Sequence, residues 1–312
     1  MECEPSPLWI ERRAFVSNKP RKMTLEKKHN LTGWAFLAPA TFLIAVFSFW
    51  PMIKALVLSF QTGKGRNMQM AGFTNYIRMF QDDVFIQSIK NTFFYFIIQV
   101  PIMLVVALVL ACILNKKDLR FKGFFRTMIF LPCTTSLVAY SIIFRSLFAN
   151  DGLVNYVLVN VGILDRPYNF LTQPFAAKMV IILGLLWRWT GYNMVFFLSG
   201  LQNIEYSVYE AAKIDGASAI QTFFKITVPL LKPTILLTAI MSTNGTLQLF
   251  DESINLTDGG PANASISMSH YIYNLCFKYV PNFGYAAAMS FFILLLVAVL
   301  AFMQMRVGDK RD

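Results

Sequence analysis

Two amide side chains, Asn244 and Gln248, interrupt an apolar stretch in the last quarter of the chain. With Met241 they follow the spacing i, i+3 and i+7, which places them on one face of a helix. Amides can replace the hydrogen bonds that water gives to a polar solute, and polar groups inside a membrane span often mark a solute pathway. Hydrogen bonding between neighbouring helices is the alternative role. We favour the pathway interpretation.

A second polar and aromatic group lies in the preceding apolar run. It contains Trp187, Arg188, Trp189, Tyr192 and Asn193. A charge near the bilayer centre costs at least about 2.5 kcal/mol by insertion scales, so Arg188 must face the interior of a helix bundle. We assign Trp187, Arg188, Tyr192 and Asn193 to the same pathway as the two amides. Packing by the tryptophans, and a structural or gating role for Arg188, are the alternatives.

Residue groups that would support catalysis are missing from the sequence. It has no Gly-x-x-x-x-Gly-Lys-Ser/Thr phosphate loop, so the chain is not expected to bind ATP itself. His29 and His270 are far apart, and Cys3, Cys112, Cys133 and Cys276 lack metal-binding or redox spacing. We therefore predict no enzymatic activity, no metal and no cofactor.

Long apolar runs must position these groups. Hydrophobic residues make up 56% of the 312 positions and charged residues 14%, which is typical of a membrane protein. A spanning helix needs at least about 17 apolar residues. Six runs come close to or exceed this length, at about 33–60, 91–114, 127–148, 177–201, 234–250 and 284–304. The sequence predicts an all-α polytopic protein with six transmembrane helices.

Single residues refine these six spans. Pro51 should end or kink the first span, and Pro132 should bend the third. Asn91 is the expected N-cap of the second span. Residues 61–90 should form a short outer loop.

The distribution of Lys and Arg sets the orientation. These residues cluster before the first run, between the second and third, between the fourth and fifth, and after the sixth. Basic loops face the cytoplasm, so both termini are expected inside. This asymmetry, with anionic lipid head groups as its counterpart, accounts for the net charge of +11. Membrane lipid is an expected partner and nucleic acid is not.

An amphipathic segment lies between the fourth and fifth runs. It carries EAAKIDG at 210–216 and ITVP at 226–229. Apolar residues recur at helical spacing before and after Gly216, which predicts a helix, a turn and a second helix. Small residues around the turn would let a partner protein approach closely. The alternative is an ordinary interfacial loop of a polytopic protein.

This pattern resembles the EAA loop of permease subunits in binding-protein-dependent ABC importers, with Val228 where Leu is usual. The resemblance implies that residues 205–229 form the coupling helices that insert into a groove on a cytoplasmic ATPase. The coupling residues that it implies are Tyr209, Glu210, Ala211, Ala212, Asp215, Gly216, Ala217, Phe223, Ile226 and Pro229.

Further landmarks extend the resemblance to about residues 30–307. Trp50-Pro51, Phe130-Leu131-Pro132 and LTDGGP at 256–261 are similar to those of the carbohydrate branch, first-permease type, with a MetI-like fold. The resemblance implies import of a sugar or oligosaccharide across the bacterial cytoplasmic membrane. It also implies a second permease subunit, two ATPase subunits and an extracytoplasmic solute-binding protein. Contact with that protein is expected at Asp258, Gly259, Gly260 and Pro261.

Other transported solutes are alternatives, namely glycerol phosphate or an amino acid. A secondary transporter is a less favoured alternative. Such proteins commonly show internal repeats with broken helices at matched positions, and the sequence has no convincing repeat of this kind. The long inserted outer domain of maltose-type permeases is absent, since residues 61–90 form only a short segment.

The expected domains are a cytoplasmic N-terminal arm at 1–30, a transmembrane domain at 31–307 and a cytoplasmic tail at 308–312. Residues 1–22 show little pattern and precede Met23, an alternative start. They do not resemble a cleavable signal peptide, because the apolar run that follows is much longer than the roughly 7–15 residues of such peptides. A chain that starts at Met23 should therefore insert and function.

Overall fold

A computed structural model describes residues 24–64, 67–116 and 118–308 of the chain. The expectation for residues 1–22 and the start at Met23 lies outside the described residues. The chain divides into two compact units, one up to Ile53 and one from Lys54 onward.

The first unit is helical. Helix α1 spans Leu25–Ile44, and a π-helical segment, Ala45–Phe49, leads into α2, Trp50–Ser59, which continues into the second unit. The first helix therefore begins inside the region assigned to the N-terminal arm. Pro51 does not end it, because the backbone from Leu25 to Ser59 forms one continuous helix of 35 residues. The wider π turn just before Pro51 accommodates the proline ring and its missing N–H group.

The second unit contains the remaining elements. The strands are β1 Gln61–Lys64 and β2 Asn67–Met70, which pair antiparallel. The helices are α3 Thr74–Met79, α4 Asp83–Asn115, α5 Lys122–Thr134, α6 Leu137–Leu147, α7 Leu153–Asn160, α8 Pro174–Gln202, α9 Tyr206–Ile214, α10 Ala219–Thr222, α11 Val228–Leu230, α12 Lys232–Leu247, α13 Asp251–Thr257, α14 Met268–Tyr273 and α15 Phe283–Gly308. Two further π segments are Phe223–Thr227 and Asn274–Lys278.

The described helices account for six spans. Four are long and apolar enough to cross a membrane alone: Leu25–Ser59, Asp83–Asn115, Pro174–Gln202 and Phe283–Gly308. Two more are bent pairs: α5 with α6 at 97°, and Ala219–Leu230 with α12 at 71°. Counting each pair as one span confirms the predicted all-α fold with six transmembrane helices. The small hairpin β1–β2 and helix α3 occupy the segment that was expected to be a loop.

The second span begins earlier than predicted, and the expectation that Asn91 caps it is wrong. Asp82 is the N-cap, because its Oδ1 accepts hydrogen bonds from the backbone N–H groups of Val84 and Phe85 at 3.0 and 3.2 Å. A carboxylate also interacts favourably with the positive end of the helix dipole. Asn91 lies two turns inside α4, fully buried, and its Nδ2 donates to the carbonyl oxygen of Ile266 at 2.9 Å.

Close packing of α8 against its neighbours forms the centre of the second unit. Buried apolar side chains of α4 and α8, among them Ala107, Ala111, Met194 and Phe197, share one core cluster. Helix α5 crosses α8 at Gly191, where a Cβ atom would overlap the carbonyl oxygen of Ile129. Only glycine permits this approach of the two backbones.

The bend in the third span lies just beyond Pro132. Helix α5 ends at Thr134, and α6 starts at Leu137 after two residues with extended backbone angles. The predicted bend is therefore present, but as a break between two helices rather than as a kink in one.

Candidate functional site

The amphipathic loop forms the predicted helix, turn and helix. Helix α9 ends in a turn at Gly216, whose φ of +76° is readily adopted only by glycine. The Ala217 N–H donates to the Ala212 carbonyl at 2.9 Å, which closes a Schellman-type C-cap. Helix α10 then begins with a capping box, in which Ser218 and Gln221 bond each other's backbone N–H groups.

Most of the predicted coupling residues reach the surface of this loop. Glu210, Ala211, Asp215, Gly216 and Pro229 are exposed, and Tyr209, Ala217, Phe223 and Ile226 are partly buried. Ala212 is only 6% exposed and packs inward. It lies beneath the surface that a partner would contact, because it falls on the buried side of α9.

Three exposed apolar side chains on this loop were missed as site candidates. Ile214, Ile220 and Phe224 are 85%, 71% and 65% exposed. Large apolar side chains that are exposed on a polar loop are typical of a protein-interaction surface. Their position near the turn could have identified them from the sequence, because this segment was already predicted to contact a partner protein.

A hydrogen bond links the two arms of the loop. The hydroxyls of Tyr209 on α9 and Thr227 in the second π segment lie 3.4 Å apart. Thr227 is buried and leads through α11 directly into α12. A displacement of α9 therefore has a direct structural route to the helix that carries Asn244.

A cavity of about 890 Å³ separates this loop from the end of α4. Its lining includes Asn115 and Lys116 on one side and Tyr206, Tyr209 and Lys213 on the other. The loop thus has free space on its inner side.

The structure brings Asn244 and Gln248 together. Both are exposed, and Nε2 of Gln248 donates a hydrogen bond to Oδ1 of Asn244. They line a cavity of about 560 Å³ together with hydroxyl groups and aliphatic side chains of α14 and α15. The other lining residues are Ser269, Ile272, Ser290, Ile293, Leu294, Val297 and Ala298. Ser269 and Ser290 were not anticipated from the sequence, because no polar periodicity distinguishes them.

The four candidates on α8 lie elsewhere, and none of them lines this cavity. Asn193 is buried; it accepts a hydrogen bond from Ser242 at 3.3 Å and donates one to the Trp189 carbonyl at 3.1 Å. Tyr192 is partly buried against Trp189. Arg188 is buried and bonds backbone carbonyls of the third span.

Trp187 is the exposed member of this group. It is 43% exposed, and its ring packs against Tyr140 and Phe144 on α6. The hydrogen bonds of buried Asn193 favour a role in bundle packing. A pathway role for the four residues on α8 stays a prediction.

The turn at residues 258–261, for which the sequence predicts an outer location, has one exposed acid. Asp258 has a left-handed backbone conformation, with φ of +48°, and both its carboxylate oxygens accept from Nζ of Lys278 at 3.0 and 3.1 Å. This hydrogen bonding raises the pKa of Lys278. Gly259 is buried, whereas the side chain of Asp258 is exposed to solvent.

His270 lies under the same turn. Its side chain is buried, and Nδ1 is 2.9 Å from the Ser253 hydroxyl. Burial lowers the pKa of His270 to about 4; Asp258, with Oδ1 at 3.8 Å from Nε2, opposes this shift, and Lys278 adds to it.

The described part of the chain combines six spans with an amphipathic loop and a cavity lined by amides. This combination is typical of a polytopic membrane permease. The chain belongs to the family described as "Binding-protein-dependent transport system inner membrane component", whose model matches residues 84–311. It is therefore a multi-pass inner-membrane component of a transport system rather than an enzyme.

Relatives with known names agree with this assignment. The lactose transport system permease protein LacF of Rhizobium radiobacter is 51% identical over 292 residues, which cover 93% of this chain and 98% of LacF. The multiple sugar-binding transport system permease protein MsmF of Streptococcus mutans is 33% identical over 92% of this chain and 99% of its own length. The arabinooligosaccharides transport system permease protein AraP of Bacillus subtilis is 31% identical, covering 89% and 88%.

A solved structure shares the fold. A chain of a bacterial alginate ABC transporter, crystallised with a periplasmic protein that holds an alginate pentasaccharide, superimposes with a TM-score of 0.80 at 25% identity. The match covers 91% of this chain and 96% of that chain.

Proposed function

We propose that this chain is one of two permease subunits that import a sugar or oligosaccharide across the bacterial cytoplasmic membrane. The observation that carries the proposal is the near full-length identity of 51% to a lactose permease, together with lower identity to two further saccharide permeases. Lactose is therefore the first substrate to test.

The cavity at Asn244 and Gln248 is the proposed part of the sugar path in this subunit. Amides and the hydroxyls of Ser269 and Ser290 can exchange hydrogen bonds with sugar hydroxyls. The aliphatic side chains opposite them can contact the less polar faces of a pyranose ring. The second permease subunit would complete the path.

Two cytoplasmic ATPase subunits would supply the energy. Closure of the ATPase pair on ATP would pull on the coupling helices at 205–229 and open the permease pair outward, and hydrolysis would return it to the inward-facing state. A ligand shifts such an equilibrium only by its differential affinity for the two states, and ATP supplies that difference. The exposed side chains of Ile214 and Ile220 support docking of the loop in an ATPase groove.

On the outer side, a solute-binding protein would deliver the sugar to the turn at Asp258–Pro261. The exposed carboxylate of Asp258 supports this role. The basic inner loops support a cytoplasmic location for both termini and for the coupling loop.

Reconstitution in proteoliposomes tests the proposal. The complete importer, with its second permease, ATPases and binding protein, is assembled with ATP inside the vesicles, and uptake of labelled lactose is measured. Uptake should require both ATP and the binding protein. An ATPase variant that binds but does not hydrolyse ATP is the control, and it should abolish uptake.

A panel of unlabelled competitors then tests the substrate class. Saccharides should reduce lactose uptake, whereas glycerol phosphate and amino acids should not. Uptake that only an amino acid or glycerol phosphate inhibits would contradict the proposal.

A further inference from the structure

Arg188 holds the end of a helix inside the membrane bundle. It lies near the middle of α8 and is only 6% exposed. Its Nη1 donates to the carbonyl oxygen of Thr135 at 2.8 Å, and Nη2 lies 3.4 Å from the carbonyl oxygen of Cys133. Cys133 lies in the last turn of α5, and Thr135 lies in the break between α5 and α6.

Those carbonyls need a donor, because a helix end leaves its last carbonyl groups without intrahelical partners. Within the hydrocarbon region, no water is present to donate hydrogen bonds to these carbonyl groups. The Thr134 hydroxyl donates to the Leu131 carbonyl at 2.8 Å, and the Thr135 hydroxyl donates to the Pro132 carbonyl at 2.7 Å. The guanidinium supplies the donors for the carbonyls of Cys133 and Thr135, and its charge suits the negative end of the helix dipole.

A second side of Arg188 faces the outer helix α13. The guanidinium carbon is 5.1 Å from the centre of the Tyr140 ring, on α6, directly after the break. Tyr140 lies beside α13, because a Cβ atom at Gly184 would lie within 4 Å of both the Tyr140 ring and the Leu256 side chain. Glu252, on the same helix α13, is only 4% exposed. Burial raises the pKa of Glu252, and Arg188 opposes this shift.

Helix α13 is the element that ends in the outer turn. It runs Asp251–Thr257 and is followed at once by Asp258. One buried side chain of α8 thus contacts the break in the third span and, through Tyr140, the helix that carries the turn. A simple cap could be made by uncharged donors, whereas an arginine also provides a charge that Glu252 can attract.

We propose that Arg188 is a positioning residue that ties α13 to the break between α5 and α6, so that an event at the outer turn changes the arrangement of the third span. This inference rests on the proposed function, because the event is contact with the loaded solute-binding protein. Arg188 does not touch the sugar in this role. It relays the arrival of the binding protein to the bundle.

ATPase stimulation by the binding protein tests the relay. The complete importer is purified with Arg188→Met, Arg188→Lys or Glu252→Gln, and ATP hydrolysis is measured with and without binding protein and lactose. The matched control is Arg145→Met, which removes an exposed arginine from the same region, on α6. Stimulation should fall about fivefold or more in Arg188→Met and Glu252→Gln, the lower end of typical coupling between sites.

In Glu252→Gln, basal hydrolysis and recovery of the assembled complex should stay close to wild type, a combination that lost packing alone would not produce. Arg188→Lys should retain part of the stimulation, because it keeps the charge but not the two-pronged donor. The double variant Arg188→Met with Glu252→Gln should lose little more than either single variant. The Arg145→Met control should be stimulated normally.

Three other outcomes would contradict the relay or the proposed function. If Arg188→Met does not assemble, Glu252→Gln decides, and full stimulation in that variant would overturn the relay. Equal stimulation of wild type and all Arg188 variants would do the same while leaving the proposed function intact. A wild-type complex that the binding protein does not stimulate at all would reject the proposed function itself.

Discussion

Asp82 and Tyr285 join the start of α4 to the start of α15, because the Tyr285 hydroxyl donates to Oδ2 of Asp82 at 2.7 Å. The same oxygen accepts from the Tyr271 hydroxyl at 2.7 Å, so one carboxylate connects three helices while its other oxygen caps α4. Burial alone would raise the pKa of Asp82, but the hydrogen bonds from the two tyrosines and two backbone N–H groups outweigh it and lower the pKa.

Replacing this carboxylate should destabilise the end of the bundle at which α4 and α15 begin. Asp82→Ala should lower the free energy of unfolding by about 1.5–3 kcal/mol, the range for a hydrogen bond to a charged group. The stabilisation is present above the normal carboxyl pKa of 3.8 and is lost as the pH falls through the lower folded-state value. Thermal unfolding of the purified complex measures the effect. Asp83→Ala, which removes the exposed neighbouring acid, is the control and should behave like wild type.

The crossing of α5 and α8 should not tolerate a single added methyl group. Gly191→Ala would drive a Cβ atom into the Ile129 backbone and should sharply reduce the yield of folded protein in the membrane. The matched control on the same helix is Gly184→Ala, where the nearest atom would be a Tyr140 side-chain carbon at an ordinary 3.4 Å. Fluorescence-detected size-exclusion chromatography of both variants checks this. Equal profiles would show that the two backbones can separate without penalty.

Asn244→Leu and Gln248→Leu should lower sugar uptake and leave assembly and basal ATP hydrolysis largely intact. Both side chains are exposed to a cavity, which argues against a purely structural role. In a purely structural role, each variant would lose roughly 0.6 kcal/mol of bundle stability, and uptake per assembled complex would stay unchanged. Uptake per assembled complex in proteoliposomes is the measurement. Asn193→Leu is the buried comparison and should affect stability first. Unchanged uptake in both cavity variants would exclude these amides from the path.

Gly216→Pro should separate the ATPases from the permease. Proline fixes φ near −65°, whereas Gly216 has φ of +76°, so the turn between α9 and α10 cannot keep its shape. We expect loss of ATPase co-purification and of sugar-stimulated ATP hydrolysis. Gly162→Pro is the matched control, because Gly162 has φ of +78° in a turn that follows α7, outside the coupling loop. If Gly216→Pro retained both activities, residues 205–229 would not be the coupling segment.

Acidification should weaken the packing around His270. The folded protein binds the proton only near pH 4, whereas the unfolded chain binds it near 6.5, so the unfolded state holds more protons between these values. The contribution of neutral His270 to stability is therefore complete above pH 6.5 and declines as the pH falls toward 4. Thermal unfolding from pH 7 to pH 4.5 measures this loss. His270→Gln should show a smaller pH dependence over that interval, and an identical slope would assign the dependence to other groups.

The sequence predicted the structural features that depend on composition or on a single local turn. The six apolar runs gave the spans, since burial in lipid requires long apolar helices, and the turn at Gly216 followed from a residue that tolerates positive φ. The shared face of Asn244 and Gln248 followed from helical spacing alone.

Features that depend on contacts distant in sequence were not predictable. Asn91 looked like a cap because it opens an apolar run, yet its amide bonds the Ile266 carbonyl, 175 residues away. Arg188 had to face the bundle, but its acceptors at Thr135 became apparent only once the third span was seen to break. Ser269 and Ser290 line the same cavity as Asn244 because of the packing of three helices, which no local pattern encodes.

The π segments at Ala45–Phe49 and Phe223–Thr227 each end two residues before a proline, Pro51 and Pro229. The carbonyl that each proline leaves without its usual donor, four residues earlier, belongs to the π segment. A π turn holds one residue more than an α turn, so each of these two places can lose one residue without interrupting the helix. Deleting one residue there restores an α turn and keeps the phase of the helix that follows. A deletion elsewhere in Leu25–Ser59 would rotate the part of that helix beyond it by about 100°. Length differences among relatives should therefore fall at these two turns.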